Sequence, residues 1–425
     1  EMCLLDVLAT VGAARPDWRL AAVLGDDGPL RQAIANLGIP CALLSLPHGL
    51  ARLGDSGDRD AESRWSRGGR LVGQGAALAL AGVDYLRRLR RLIKADAPDL
   101  IQTNGMKAHV LAAWAAPQRL PIVWHLHDYL GSRPVMARLL KQAARRRVAA
   151  VAVSQSVARD AEQTLGARAS IRTIYNAVDL ERFTPNPART DVDDADPAAW
   201  LDEAAGLPPA PRGTVRVGLV ATFAVWKGHR VFLEAIARIP AELPSRFYIV
   251  GGPIYRSRGS QVQLEELKAQ AEALGLGGRV GFTGHQDDPA RAMRALDVVV
   301  HASLRPEPFG RVIVEGMASG CAVVAIPNGG AAELFENEAN ALGCPPHDPE
   351  RLAQAIQRVL ADSDLRSRLG RAGREAAQAR FDRRRLAEPW CGLYESMGVS
   401  RRSEGPAALS SVQGIGALGY ERSES

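Results

Sequence analysis

Cysteine is scarce in this 425-residue chain, and what there is has no pairing pattern. Cys3, Cys41, Cys321, Cys344 and Cys391 are odd in number, widely scattered and without a C-x-x-C. That excludes a disulfide framework and a thiolate zinc site, and reduced thiols fit a cytosolic protein best. Long apolar runs are missing as well. GAALALAGV at 75–83 is too short and too glycine-rich to span a bilayer. No secretory leader is visible, and the opening EMCLLDVLAT reads as the interior of a helix, so the natural start is expected upstream. Lysine stands only at positions 94, 107, 141, 227 and 268, so the net charge of +6 is carried almost wholly by arginine.

What is present is a globular composition, 46% apolar and 24% charged, in a chain long enough for two or three domains. The basic charge is clustered in YLRRLRRLIK (85–94), RLLKQAARRR (138–147) and RFDRRRL (380–386). Such segments attract phosphates, although a solvated helix face is their commonest meaning. Nucleic acid is disfavoured because no RNP motif, zinc finger or aromatic-interleaved basic strand accompanies them.

Short apolar runs alternate with helical patterns. Strands are expected at 19–25, 98–104, 121–127, 148–154 and 171–176, then at 215–221, 246–252, 279–284, 297–303 and 321–327. Most are continuous rather than alternating, as in parallel sheets covered on both faces. The fold class is therefore α/β, two doubly wound domains in tandem. The expected units are 1–180, joined by a crossover helix at about 382–398; a linker or surface insertion at 181–213; a second domain at 214–381; and a disordered tail at 399–425. The tail contains GIGALG (414–419), but no strand precedes it, so no dinucleotide-binding unit forms there.

The informative stretch is RPEPFGRVIVEG, 305–316. Glu307 lies between two prolines at the carboxyl end of a strand, where open α/β sheets bind ligands. Gly310 opens a helix whose free N–H groups make an anion site, and Glu315 sits about five residues in, about 7 Å along the axis. Two carboxylates beside an anion-binding helix start match the vicinal hydroxyls of two sugars flanking a phosphate group. A nucleotide-sugar has that shape.

PEPFGRVIVEGMASGCAVVA resembles the E-x7-E signature of the family-4 retaining glycosyltransferases, whose GT-B fold faces two Rossmann-like domains across a cleft. VWKGHRVFLEAIA (225–237), YNAVDLERFTP (175–185), WHLHDYLG (124–131) and NGGAAEL (328–334) resemble further motifs of that family, in its order. The resemblance spans residue 1 to about 398. It implies an acceptor-side first domain and a nucleotide-sugar-binding second one. Glu307 would hold the donor sugar, the amides of Phe309, Gly310, Arg311 and Val312 would receive sugar and phosphates, and Glu315 would bind the ribose. Lys227 would neutralise the departing pyrophosphate, and His127 would lie near the sugar and acceptor. The implied partners are a nucleotide-sugar donor, a glycan or lipid-linked acceptor and an anionic membrane surface, with no nucleic acid. The expected location is cytoplasmic, extending to peripheral attachment at the inner membrane face.

Two departures stand out. The family's arginine five residues before the KG lysine is Thr222 here, so either Arg311 or Arg305 compensates or catalysis is weaker. The family's first strand and GG-x-E turn are expected to be absent, with Glu1 as the last residue of that turn. His125 is read as core, on the other face of the strand from His127, and Asp128 as a cap for the next turn. The Asp-Asp pairs 26–27, 193–194 and 287–288 lack the strand context of a metal site, so neither metal nor cofactor is expected. The rivals are a non-catalytic nucleotide-sugar-binding subunit and a nucleotide-sugar epimerase of the same fold.

Overall fold

The computed structural model describes residues 2–51, 71–146, 148–166, 169–185, 196–253 and 260–399. The tail beyond 399 and the acidic 186–195 stretch lie outside the described residues. The strands are β1 (Ala22–Leu24), β2 (Cys41–Leu43), β3 (Ile101–Asn104), β4 (Ile122–Leu126), β5 (Val148–Ala152), β6 (Ser170–Thr173), β7 (Val215–Val220), β8 (Ser245–Val250), β9 (Val280–Gly284), β10 (Val298–His301), β11 (Ala322–Ala325) and β12 (Leu342–Gly343). Every pairing between them is parallel. Strands β2 and β12 escape the sequence reading because three or two residues carry too little pattern to rise above a loop.

The C-terminal half is one six-stranded sheet in the order β12-β11-β10-β7-β8-β9. This is the order 3-2-1-4-5-6, which reverses direction between β7 and β10. Its Val- and Ile-rich strands are covered on both faces, and β10 and β11 are buried at every residue. The N-terminal half holds a four-stranded sheet, β3-β4-β5-β6, and a separate pair, β1-β2; among the described residues no strand joins the two.

The chain crosses between the halves twice, side by side. Val178 N–H donates to Phe381 C=O at 2.8 Å, and Arg383 N–H to Val178 C=O at 3.0 Å. After the return crossing, the helix Ala387–Ser396 packs Trp390, Leu393 and Tyr394 against Val7, Val11, Val123 and Val151 of the N-terminal half. The opening segment is indeed a helix, Met2–Ala14.

The described part of the insertion is anchored to the second domain. Its helix Pro197–Ala204 buries Leu201 completely and sinks Asp202 to 1% exposure. Asp202 accepts hydrogen bonds from Arg216 and Arg246 at 3.0 and 2.9 Å and from the Tyr248 hydroxyl, so one carboxylate serves two guanidiniums under the sheet. Burial alone would raise its pKa, but these donors outweigh it and hold the carboxyl below its usual value. A segment with no apolar stripe is thus fixed by a buried charge, which periodicity does not register.

Candidate active site

The switch point brings two loops together. Val298 of β10 pairs with Val217 of β7, so residues 221–227 and 302–308 leave the sheet side by side. Leu304 N–H donates to Trp226 C=O at 2.7 Å. Gly228 has φ +75°, and a Cβ there would run into the Ala302 carbonyl, so only glycine lets the first loop press on the second. The result is a cavity of about 250 Å³ lined among others by Thr222, Lys227, His301, Ser303, Glu307, Gly310, Arg311, Val312 and Glu315.

Lys227 Nζ is 2.9 Å from each Glu307 carboxylate oxygen. Ser303 Oγ donates to Oε2 at 2.7 Å, and buried His301 Nε2 lies 3.5 Å from the same oxygen. Burial pushes the Glu307 carboxyl up, but His301 and the Lys227 ammonium overcome it and hold the group well below the usual carboxylate range. Glu307 is therefore a fixed acceptor of hydrogen bonds near neutral pH, not a proton donor.

Gly310 caps the helix Arg311–Ala318, which points its first amides at the cavity. Phe309 is buried, with its ring near Tyr175 and Phe381, and does not line the cavity that Gly310, Arg311 and Val312 line. Glu315 accepts from Arg311 Nε at 2.7 Å, and Arg311 Nη1 reaches Asp6 of the N-terminal helix at 2.7 Å. The Arg311 guanidinium is thus engaged by two carboxylates at the wall of the cavity that Thr222 also lines, while Arg305 lies over the Trp226 ring, 5.7 Å from its centroid.

His127 is half-buried at the end of β4, with Nε2 3.1 Å from Asn104 Oδ1. Burial lowers its pKa to about 4, so the ring is neutral near pH 7. His125 is buried as expected, but not on the opposite face. Residues two apart on a strand share a face, and the two rings lie 4.0 Å apart, with Trp390 edge-on to His125. Nor does Asp128 cap the next turn; the Leu130 and Gly131 amides donate to Asp160 instead.

The sequence reading missed Tyr129. Two residues beyond His127, its hydroxyl donates to the Glu307 carbonyl at 3.1 Å, bringing the His127 loop and the Glu307 loop together across the halves. It also missed the use of Glu333 in NGGAAEL, whose carboxylate receives the Gln155 and Ser156 amides at 2.8 and 2.7 Å and the Tyr175 hydroxyl at 3.0 Å. A Cβ on Gly329 would collide with the Tyr129 hydroxyl and the Glu307 backbone, and one on Gly330 with the Pro308 carbonyl. Among the described residues, no group of three or more His, Cys, Asp or Glu could hold a metal ion, and no helix is long and apolar enough to cross a membrane.

Comparison with known proteins agrees with this arrangement. Residues 30–182 match the model described as Glycosyltransferase Family 4, and residues 209–376 match Glycosyl transferases group 1. The lipopolysaccharide core biosynthesis glycosyltransferase LpsE of Rhizobium meliloti is 33% identical over 170 residues, 40% of this chain and 46% of that protein. A D-inositol 3-phosphate glycosyltransferase of Jonesia denitrificans is 31% identical over 236 residues, 54% of this chain and 52% of that protein. The chain thus spans about half the length of these curated relatives. Anabaena HepE, solved in complex with UDP-glucose, superposes with a TM-score of 0.73 at 27% identity, covering 93% of this chain and 95% of HepE.

Proposed function

We propose, for a chain that belongs to the family-4, group 1 glycosyltransferases, that it moves a sugar from a UDP-linked donor to a glycan or lipid-linked acceptor in polysaccharide or glycoconjugate synthesis, with retention at the anomeric carbon. The observation that carries this reading is Lys227 set against Glu307 at 2.9 Å, where β7 and β10 diverge and the helix Arg311–Ala318 opens. The UDP-glucose complex of HepE supports the donor class, and LpsE supports the kind of product.

Glu307 takes hydrogen bonds from the sugar's hydroxyls, the amides of residues 309–312 receive the phosphates, and Glu315 accepts from the ribose. The pyrophosphate competes with Glu307 for the Lys227 ammonium. As the anomeric C–O bond breaks, its electron pair leaves with the nucleoside diphosphate, and Lys227 stabilises that charge. The acceptor oxygen bonds the anomeric carbon, and its proton passes to the leaving phosphate oxygen. His127, neutral, takes or gives a hydrogen bond beside the sugar. Neither a metal nor a cofactor is needed. The exposed arginines of the helix Leu71–Asp96 hold the protein peripherally at an anionic, cytoplasmic membrane face.

Replacing Lys227 with Ala tests this reading by calorimetry. Affinity for UDP should fall by about tenfold or more while that for uridine barely changes, since a hydrogen bond to a charged group contributes about 1.5–3 kcal/mol. Equal losses for both ligands would make Lys227 a packing residue and remove the main support. Thr222, with Arg311 already held by carboxylates, favours a second reading, a donor-binding subunit without turnover. UDP-glucose bound but never consumed, with any acceptor, would favour it; isomerisation without an acceptor would mark an epimerase.

A further inference from the structure

We propose that Tyr129 and Glu333 form a latch between the two halves that completes the positioning of Glu307, so that its backbone is fully held only when the acceptor side is docked. This rests on the transfer reading above and adds two positioning residues to it.

The backbone around Glu307 has few ways to be held. Pro306 and Pro308 carry no N–H, so between them only the Glu307 amide can donate, and it goes to the Asn328 carbonyl at 3.0 Å. The Glu307 carbonyl accepts from Gly330 N–H at 2.7 Å and from the Tyr129 hydroxyl at 3.1 Å. Of the three bonds that fix this residue's backbone, one is supplied by the opposite half. Tyr129 is itself oriented by Ser156 Oγ at 3.0 Å, at the start of the helix Gln155–Leu165.

The same helix start carries the second part. Ser154 caps it by accepting from Val157 N–H at 3.1 Å, which leaves the amides of Gln155 and Ser156. The Glu333 carboxylate takes both, one on each oxygen, and so completes the cap of an N-terminal-half helix from the C-terminal half. Glu333 also closes the segment 328–333 whose first residues hold Glu307. Separation of the halves therefore strips Tyr129 from the Glu307 carbonyl and Glu333 from two amides in one movement. UDP binding does not require the latch, because Lys227, Gly310 and Glu315 all lie on the C-terminal half.

The experiment uses the full chain with Tyr129→Phe and Glu333→Gln, reading amide hydrogen exchange, UDP affinity and sugar transfer. Exchange over 305–313 and 153–158 should quicken in both variants. UDP affinity should stay within about twofold, while turnover falls about tenfold for Tyr129→Phe, the equivalent of one hydrogen bond, and further for Glu333→Gln. Unchanged exchange over both segments overturns the latch, whatever turnover does. So does a loss of UDP affinity matching the loss of turnover, which would mean general disruption. If Glu333→Gln fails to fold, Tyr129→Phe decides alone, since it removes a single hydroxyl. A wild-type chain that transfers no sugar would sink the proposed function, yet the exchange result would still decide the latch.

Discussion

Beside the cavity of the C-terminal half, charges are paired and sheltered: Lys227 with Glu307, Arg311 with Glu315, and behind the sheet Arg216 and Arg246 with Asp202. On the outer helix of the N-terminal half, Arg87, Arg88, Arg90, Arg91 and Lys94 stand exposed, while Leu86, Leu89 and Ile93 pack inward. Paired, partly buried charges fix geometry and are little affected by salt; exposed ones attract over a Debye length and are screened by it. The first pattern fixes its groups in one geometry. The second presents positive charge that attracts anions without prescribing their orientation.

The sharpest way to break this contrast is Glu307→Gln. It removes the charge at the centre of the paired network, and transfer should drop by about a thousandfold in a turnover assay, about 4 kcal/mol. UDP should still bind. A variant that retains wild-type turnover would show that the paired charges are structural.

Asp202→Ala should cost about 3–5 kcal/mol of stability, read by urea unfolding, because it leaves two guanidiniums under the sheet without their carboxylate. The pH dependence has a definite sign. The Asp202 carboxyl is held below its ordinary value in the fold, so its contribution is complete above the unfolded pKa of about 4 and is lost as pH falls below it. The wild type should lose stability below about pH 4 more steeply than the variant.

Glu315→Ala should weaken UDP binding by about 1.5–3 kcal/mol in calorimetry. Its pairing with Arg311, which also holds Asp6, calls for a sharper check. If the ribose contact is the reason for the loss, uridine should weaken as much as UDP.

The smallest effect per residue belongs to the exposed face. Changing Arg87, Arg88, Arg90 and Arg91 to Gln should abolish binding to vesicles rich in anionic lipid at low salt, at about 1 kcal/mol per side chain. Stability should move by under about 0.5 kcal/mol per site, as for ordinary surface positions. Wild-type binding that persists in high salt would assign insertion, not electrostatics, to this face.

Much of the candidate site in the C-terminal half was legible in the sequence because its residues are local. A strand end, a proline-flanked acid and a helix opened by glycine fall within a dozen residues, and β7 to β11 are long enough to show their apolar runs. The remainder depends on distance along the chain. Tyr129 and Glu307 are separated by 178 residues, as are Gln155 and Glu333, and nothing in either segment announces its partner. His125 was misplaced by a face because both histidines turn toward the same side of β4. Asp202 was invisible for another reason: its partners are arginines on β7 and β8, where a strand pattern would place apolar residues.

The pair Gly329 and Gly330 acts as a feeler gauge between the halves. At φ +71° Gly329 tolerates little beyond hydrogen, and any methyl group on it points at the Tyr129 hydroxyl. An alanine there is a wedge. It would press at once on the Tyr129 hydroxyl of the other half and on the Glu307 backbone of its own. A single methyl group would thus read the fit of the seam and the set of the Glu307 loop together, because both meet at this one carbon.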